Sequence, residues 1–427
     1  MGAILQNPTQ AEQDLLASFT AGKAERERKA AFDRFANLGL PSRRVESWHY
    51  TDLRAKLRAA PPPAKKPDAA ALAQARDRLG PVDRLRIVTV DGFFSRELSD
   101  ELSTVPGVRL RPLLEDDVRL KRLVEGAGDA LLDLNGAFAE GGFVLEIAPG
   151  GRVDAAFELV ALDGGTGARG RFGRGMVILG EDSRATFLET RGESGEGFSD
   201  SALFLSLGRG SELDYACRST GGASVEVQTF VARLEQDARL RATAFVAGAP
   251  FLRRQLFVSC AGENAEAHLS GGALLRGREH VDTTLTLTHD APSCISRETF
   301  KYVLADQAEG VFQGKIIVPP HAQKTDGKML CRGLLLSDEA SMSSKPELEI
   351  FADDVACGHG AACARLDESQ LFYMESRGIP RVQAQAILVE AFAADAFDII
   401  DDEDLRDLLK LDLKRLLGTN FPWGAFS

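Results

Sequence analysis

From about Phe143 to Ala356, apolar and polar positions alternate with a period of two. Val153, Ala155, Phe157 and Leu159 alternate with Asp154, Ala156 and Glu158. The same rhythm returns at Leu213, Tyr215 and Cys217, at Ala238, Leu240, Ala242, Ala244 and Val246, and at Ala265, Ala267 and Leu269. Successive side chains of a strand point to opposite faces, so the pattern predicts strands with one buried face. Each follows a polar or glycine-rich turn: Pro149-Gly150-Gly151, Glu181-Asp182-Ser183, Gly208-Arg209-Gly210, Glu235-Gln236-Asp237 and Gly262-Glu263-Asn264. These turns recur roughly every 27 to 32 residues, a loose form of the fixed period that marks solenoids. A β-sandwich predicts similar strand content. The scarcity of Asn-Gly and Asp-Gly hairpin turns in this stretch favours a parallel β-helix.

On both sides of this region the period becomes helical. Residues from about Thr9 to Leu38 carry helix formers with apolar positions at Leu15, Phe19, Phe32 and Phe35, ended by Gly39 and Pro41. The proline-dense segment Ala59 to Pro67 reads as a stiff, extended connector. A short helix at Ala69 to Leu79, a strand at Leu85 to Val90 and a turn at Asp91-Gly92 follow. Near the other end, Asp367 followed by Gln370 suggests a capping box, Gly378 a left-handed helix end, and Pro380 the first turn of the next helix. That helix, Pro380 to Phe397, is apolar on more than one side. Val382, Ala386, Val389, Ala393 and Ala396 form one stripe, and Ile387, Leu388, Phe392 and Ile399 widen it. It is either sandwiched within its own bundle or a docking surface. The closing helix, Asp402 to Leu417, has acids early and bases late, as the helix dipole favours. The expected division is 1–80 helical with the connector, 81–356 β-rich, and 357–427 helical. Solenoid coils bury their apolar faces only by stacking, so the ends need caps, which the flanking helices are expected to supply.

Composition narrows the function. With 427 residues, 44% hydrophobic and 27% charged, the chain has the makings of a large globular core in two or three domains. A net charge of −12 argues against nucleic acid and anionic membrane partners, which require a basic footprint. Six cysteines without a CxxC indicate neither a disulfide framework nor a zinc ribbon. No leader or membrane span is evident, so a cytoplasmic location is expected. There is no GxxxxGK[ST], GxSxG or HExxH, so the chain itself is not expected to bind nucleotide.

One stretch carries candidate chemistry. Cys357 and His359 are two apart, so on an extended backbone both point to one face, where thiolate and imidazole could reach one metal. Two ligands do not close a site, and from the spacing alone an ordinary buried cysteine with a hydrogen-bonded histidine is the better reading. Asp353 and Asp354 are adjacent and point apart on a strand, which suits a turn better than a catalytic pair. His268, His280, His289 and His321 stand singly among strand and turn residues and read as surface or structural, and His49 beside Trp48 reads as packing. Cys363 reads as structural.

The flanking residues extend the picture. Phe351 through Ala362, Leu366 to Tyr373 and Ser376-Arg377-Gly378-Ile379-Pro380 closely resemble the strand-to-helix junction of the SufB/SufD family, scaffold subunits of the SUF machinery for iron-sulfur clusters. Gly39 to Ser42, Glu46 to Asp52, Leu134 to Ala139, Gly314-Lys315-Ile316, Asp326 to Met329, Leu334 to Ser337 and Ser344 to Ile350 extend the resemblance over nearly the whole chain. Within the family, SufB-type members carry a cysteine six residues before the proline matching Pro346, where this chain has Ala340. They also carry a glutamate after the histidine matching His359, where it has Gly360. Both favour the SufD branch.

The resemblance implies a mainly β fold, a right-handed parallel β-helix flanked by helical domains, in a scaffold that is not an enzyme. A SufB-like subunit would pair at the β-helix end near His359, and the SufC ATPase would bind the C-terminal helices, about 380–417. His359, with Cys357 as an available sulfur donor, would contact a nascent iron-sulfur cluster held transiently with SufB. An isolated chain has a homodimer open to it. The rival from another class is a β-helix enzyme of the polysaccharide lyase or esterase type. Such enzymes carry an aromatic groove, poorly served by four tyrosines and two tryptophans.

Overall fold

A computed structural model describes residues 7–19, 26–114, 117–165, 167–192, 195–222 and 224–418. The first six residues, on which part of the leader expectation rests, lie outside the described residues. Two sheets run side by side. The first holds ten strands, from Ala356–Ala364 back through Asp326–Leu335, Ile295–Leu304, Glu266–Leu275, Arg239–Ala247, Glu212–Thr220, Arg184–Arg191 and Phe157–Leu162 to Leu85–Val90 and Phe93–Phe94. The second holds nine, from Ser341–Ile350 through Glu309–Val318, His280–His289, Phe251–Cys260, Ser224–Leu234, Gly197–Leu207, Arg169–Leu179 and Phe143–Ile147 to Val108–Pro112. From Phe143 onward the chain alternates between the sheets, and each strand pairs in parallel with the one two steps along. The result is the expected parallel β-solenoid.

The polar turns of the sequence form a column along one corner. Asp182, Asp237 and Asn264 have φ of 53°, 56° and 59°, and Gly210 has 64°, the left-handed region that glycine, Asn and Asp enter most readily. Each of these residues donates its backbone N–H to the turn of the next coil: Asp182 to the Arg209 carbonyl, Gly210 to Gln236, Asp237 to Glu263 and Asn264 to Pro292, at 2.8 to 3.2 Å. The recurring turn chemistry is therefore hydrogen bonding between coils. Gly262 sits so close to the coil before it that a Cβ would lie 2.0 Å from the Gln236 nitrogen.

The lumen between the sheets is filled by inward residues such as Phe157, Phe187, Leu240, Leu285 and Phe312, each contributing about 1.5–3 kcal/mol on burial. The helices do not cap the stack as expected. Val389, Ala393, Ala396, Phe397, Leu405, Leu409 and Leu413 pack on the outer face of the first sheet, against Phe245, Leu274, Val303 and Leu334. They lie along a flank because the outward positions of those strands are themselves apolar. The Arg381–Ala394 helix buries Ala384, Gln385 and Val389, whereas Val382 and Ile387 of the expected stripe are exposed.

Three local expectations change. Asp367 caps its helix through the Ser369 N–H (2.8 Å) and Ser369 hydroxyl rather than through a box with Gln370. A strand occupies Ala356–Ala364, so the region expected to be helical from 357 begins as sheet, and its first helix is Glu368–Ser376. His49 is exposed, edge-on to Tyr50, rather than packed.

The N-terminal segment is strapped across the second sheet. Arg253, 1% exposed, pairs with Asp282, donates to the Ser47 carbonyl at 2.6 Å and stacks over Trp48, 4.2 Å from the ring centroid. Thr51 donates to Asp282 and lies 3.0 Å from His280 Nε2. Buried charge needs such pairing.

Two stability measurements follow. Gly262→Ala forces the coils apart and is expected to lower unfolding free energy by about 1–3 kcal/mol in denaturant titration. Inside the lumen, Glu298 is 1% exposed and neither carboxylate oxygen has a hydrogen-bond partner among the described residues; burial pushes its pKa up to about 8, partly offset by the charge of Arg297. Its folded value lies above the ordinary 4.5, so stability is complete below the ordinary value and is lost as pH rises through the folded one. Glu298→Gln is expected to gain on wild type progressively across that window, with no gain at the acid end.

Candidate functional site

The site lies where the stacking stops. Ala356–Ala364 and Ser341–Ile350 are the last strands of their sheets, and both remain largely half-buried or exposed along their length. Cys357 pairs in register with Gly327, His359 with Met329, Ala361 with Cys331 and Cys363 with Gly333. Met329 and Cys331 are lumenal, and in-register parallel strands keep side-chain direction. Cys357, His359 and Cys363 therefore share the lumenal face of the final coil. Across from them Met342, Ser344, Pro346 and Leu348 continue the column of Gly310, Phe312, Gly314 and Ile316. His359 is exposed, and Cys357 is partly buried against the core.

Next beneath is a polar layer that sequence reading did not assign to the site. Gly327 carries no side chain, and a Cβ there would meet Ser296 Oγ at 3.4 Å and both Cys357 Sγ and His289 Nε2 at 3.6 Å. His289 is fully buried and 3.0 Å from the Ser296 hydroxyl through Nε2, with Nδ1 unpartnered among the described residues. Glu298 stands in the same column as Met329 and His359. The signal in the sequence was the alternation Ser296, Glu298, Phe300, which places a carboxylate among inward positions once the register is known.

Burial raises the Cys357 and Cys363 thiols above their ordinary values, so neither is a preformed thiolate, and a metal would have to displace the proton. Among the described residues, no three His, Cys, Asp or Glu are placed to hold a metal. Cys357 and His359 offer two donors on one face, and a metal or cluster held there takes its other ligands from elsewhere. Asp353 and Asp354 lie in the bend between the last two strands, with Asp354 paired to Lys324. His268 and His321 stay apart from the site; His280 belongs to the Thr51 and Glu309 network.

The edges of the final strands are open as well. Their outward backbone groups face no further strand among the described residues, although Pro346 removes one donor. A separate apolar surface lies on the C-terminal helices, where Phe372 is 74% and Tyr373 59% exposed near Val382. Among the described residues, no helix is long and apolar enough to cross a membrane.

Residues 161–392 match the family described as SUF system FeS cluster assembly, SufBD core domain. The iron-sulfur cluster assembly protein SufD of Escherichia coli is 38% identical over 192 residues, 45% of this chain and 44% of that protein. An iron-sulfur cluster assembly SufBD family protein of Synechocystis is 26% identical over 90% of this chain and 89% of its own length. Protein ABCI7, chloroplastic, of Arabidopsis thaliana is 26% identical over 97% of this chain and 90% of its own length. The alignment with SufD thus spans less than half of that relative, whereas the other two are matched along most of their length. With the matched region running through the solenoid and into the helix on its flank, the chain belongs to the SufBD family of the SUF iron-sulfur cluster assembly system.

Proposed function

We propose that this chain is a non-catalytic scaffold subunit of the SufD branch, completed by a SufB-like partner at the open end of its solenoid. The uncapped final coil bearing His359 carries this reading. Strand edges and apolar lumenal residues such as Met342 and Leu348 are left half-covered there, as one half of an interface. The two donors on that face suit a shared site, where a nascent cluster is cargo held between His359, Cys357 and ligands of the partner. A neutral imidazole can bind iron through one nitrogen when the other is fixed. Ala340 and Gly360, where the SufB pattern has cysteine and glutamate, support the SufD assignment.

ATP hydrolysis would come from SufC, bound through the C-terminal helices. Phe372, Tyr373 and Val382 are exposed there while the opposite side of the helical layer is bound to the solenoid. A second copy of this chain is the competing occupant of the open end, because the same edges accept either.

In a complex co-expressed with SufB-like and SufC proteins and reconstituted without oxygen, His359→Ala is expected to keep all three subunits but lose most of the visible cluster absorbance. Unchanged absorbance in an intact complex would leave this chain as a docking partner alone. Phe372→Asp is expected to lower SufC retention in pull-downs by at least about tenfold while the SufB-like subunit stays bound, a loss of about 1.4 kcal/mol or more.

A further inference from the structure

The lumen also holds a buried cation that no carboxylate contacts among the described residues. Arg254 lies on the Phe251–Cys260 strand, where Leu252, Leu256, Val258 and Cys260 face inward, so its side chain enters the lumen with theirs. It is 6% exposed and its Nε has no hydrogen-bond partner among the described residues. Among the described residues no carboxylate pairs with its guanidinium. The adjacent Arg253, which faces outward, is matched by Asp282, and the lumenal Arg191 is matched by Glu189.

Tyr215, Cys217 and Tyr302 lie within reach of the Arg254 charge. Burial pushes all three pKa values up, Cys217 to about 11, so each is neutral at ordinary pH. Glu189 is engaged by Arg191 and by the Tyr215 hydroxyl. Glu226, also buried, accepts from Ser224 at 2.9 Å and directs its charge toward Arg191. A buried cation without a counter-ion is strongly unfavourable. The ladder of Tyr215 and Cys217 continues through the small residues Ala242 and Ala244. A cavity lined by Asp163, Arg171, Gly192, Ser201 and Glu226 approaches from the earlier coils. Ser201 is in register with Gln228, and Gln228 with Arg254.

We propose that Arg254 anchors an internal site for a small monovalent anion of halide or hydrosulfide size. The guanidinium supplies the charge. The Cys217 thiol and the hydroxyl of Thr283, in register with Arg254, are neutral donors suited to a compact ion. The site is distinct from the open end, since its strand lies three places before the last in the second sheet.

Two measurements test it on the full chain. Crystals grown in bromide are expected to show an anomalous peak within hydrogen-bonding distance of the Arg254 guanidinium. The thermal midpoint of wild type is expected to rise by about 2 °C between low and saturating bromide at constant ionic strength, and Arg254→Met to show no such rise while exceeding wild type at low halide. Anaerobic hydrosulfide in place of bromide separates the two ligands by which one raises the midpoint at lower concentration. No lumenal bromide, or an equal bromide response in both proteins, overturns the site. So does a thiolate absorbance at neutral pH that disappears in Cys217→Ser, because Cys217 would then be the counter-ion. If the variant fails to fold, the wild-type crystals decide.

Discussion

Stacking in register is the constraint on which the molecule depends. Each coil alone exposes an apolar face and a row of unmatched amides, and both are satisfied only by the coils before and after. The left-handed corner residues from Asp182 to Asn264 hold that relation, since each sends its N–H into the next turn. Fixed corners fix the columns of side chains. Phe187, Tyr215, Ala242, Leu269, Glu298, Met329 and His359 fall in one line although they are spread along the chain.

The proposed function grows from the place where this constraint is left unmet. The C-terminal helices could satisfy an apolar surface at either the end or the flank, and they cover the flank, where Phe245, Leu274 and Val303 face outward. The lumenal floor of the last coil is therefore available to another molecule. Cys357 and His359 belong to that floor because they continue columns begun by Gly327 and Met329. The two donors and the open strand edges are properties of one unfinished coil.

Much of the fold was legible in the sequence because its causes are local. Alternation over Phe143 to Ala356 gave strands, and turn residues such as Asp237 and Asn264 marked corners. The Leu85–Val90 strand appears with the expected bounds. Other features depend on relations across coils. Spacing put Cys357 and His359 on one face, but which face, and whether a helix covers it, follows from register and from where the helical layer lands. Val382 and Val389 look alike along the sequence, yet only Val389 meets the sheet. Glu298 and Arg254 read as ordinary charges in strands. Their burial follows from side-chain parity, which one mistaken residue would reverse.

Among the described residues the final coil has a neighbouring coil on one side only, and that has a consequence for motion. In a nearly one-dimensional stack, protection against hydrogen exchange comes from coils above and below, so the terminal coil opens first and most often. Its strand adds Gly358 and Gly360, which retain backbone freedom that other residues surrender. Ordering of Ala356–Ala364 and arrival of the proposed partner would then be two halves of a single equilibrium. A protein that releases its cargo would gain from this, because loosening one coil separates the donors without disturbing the stack behind them.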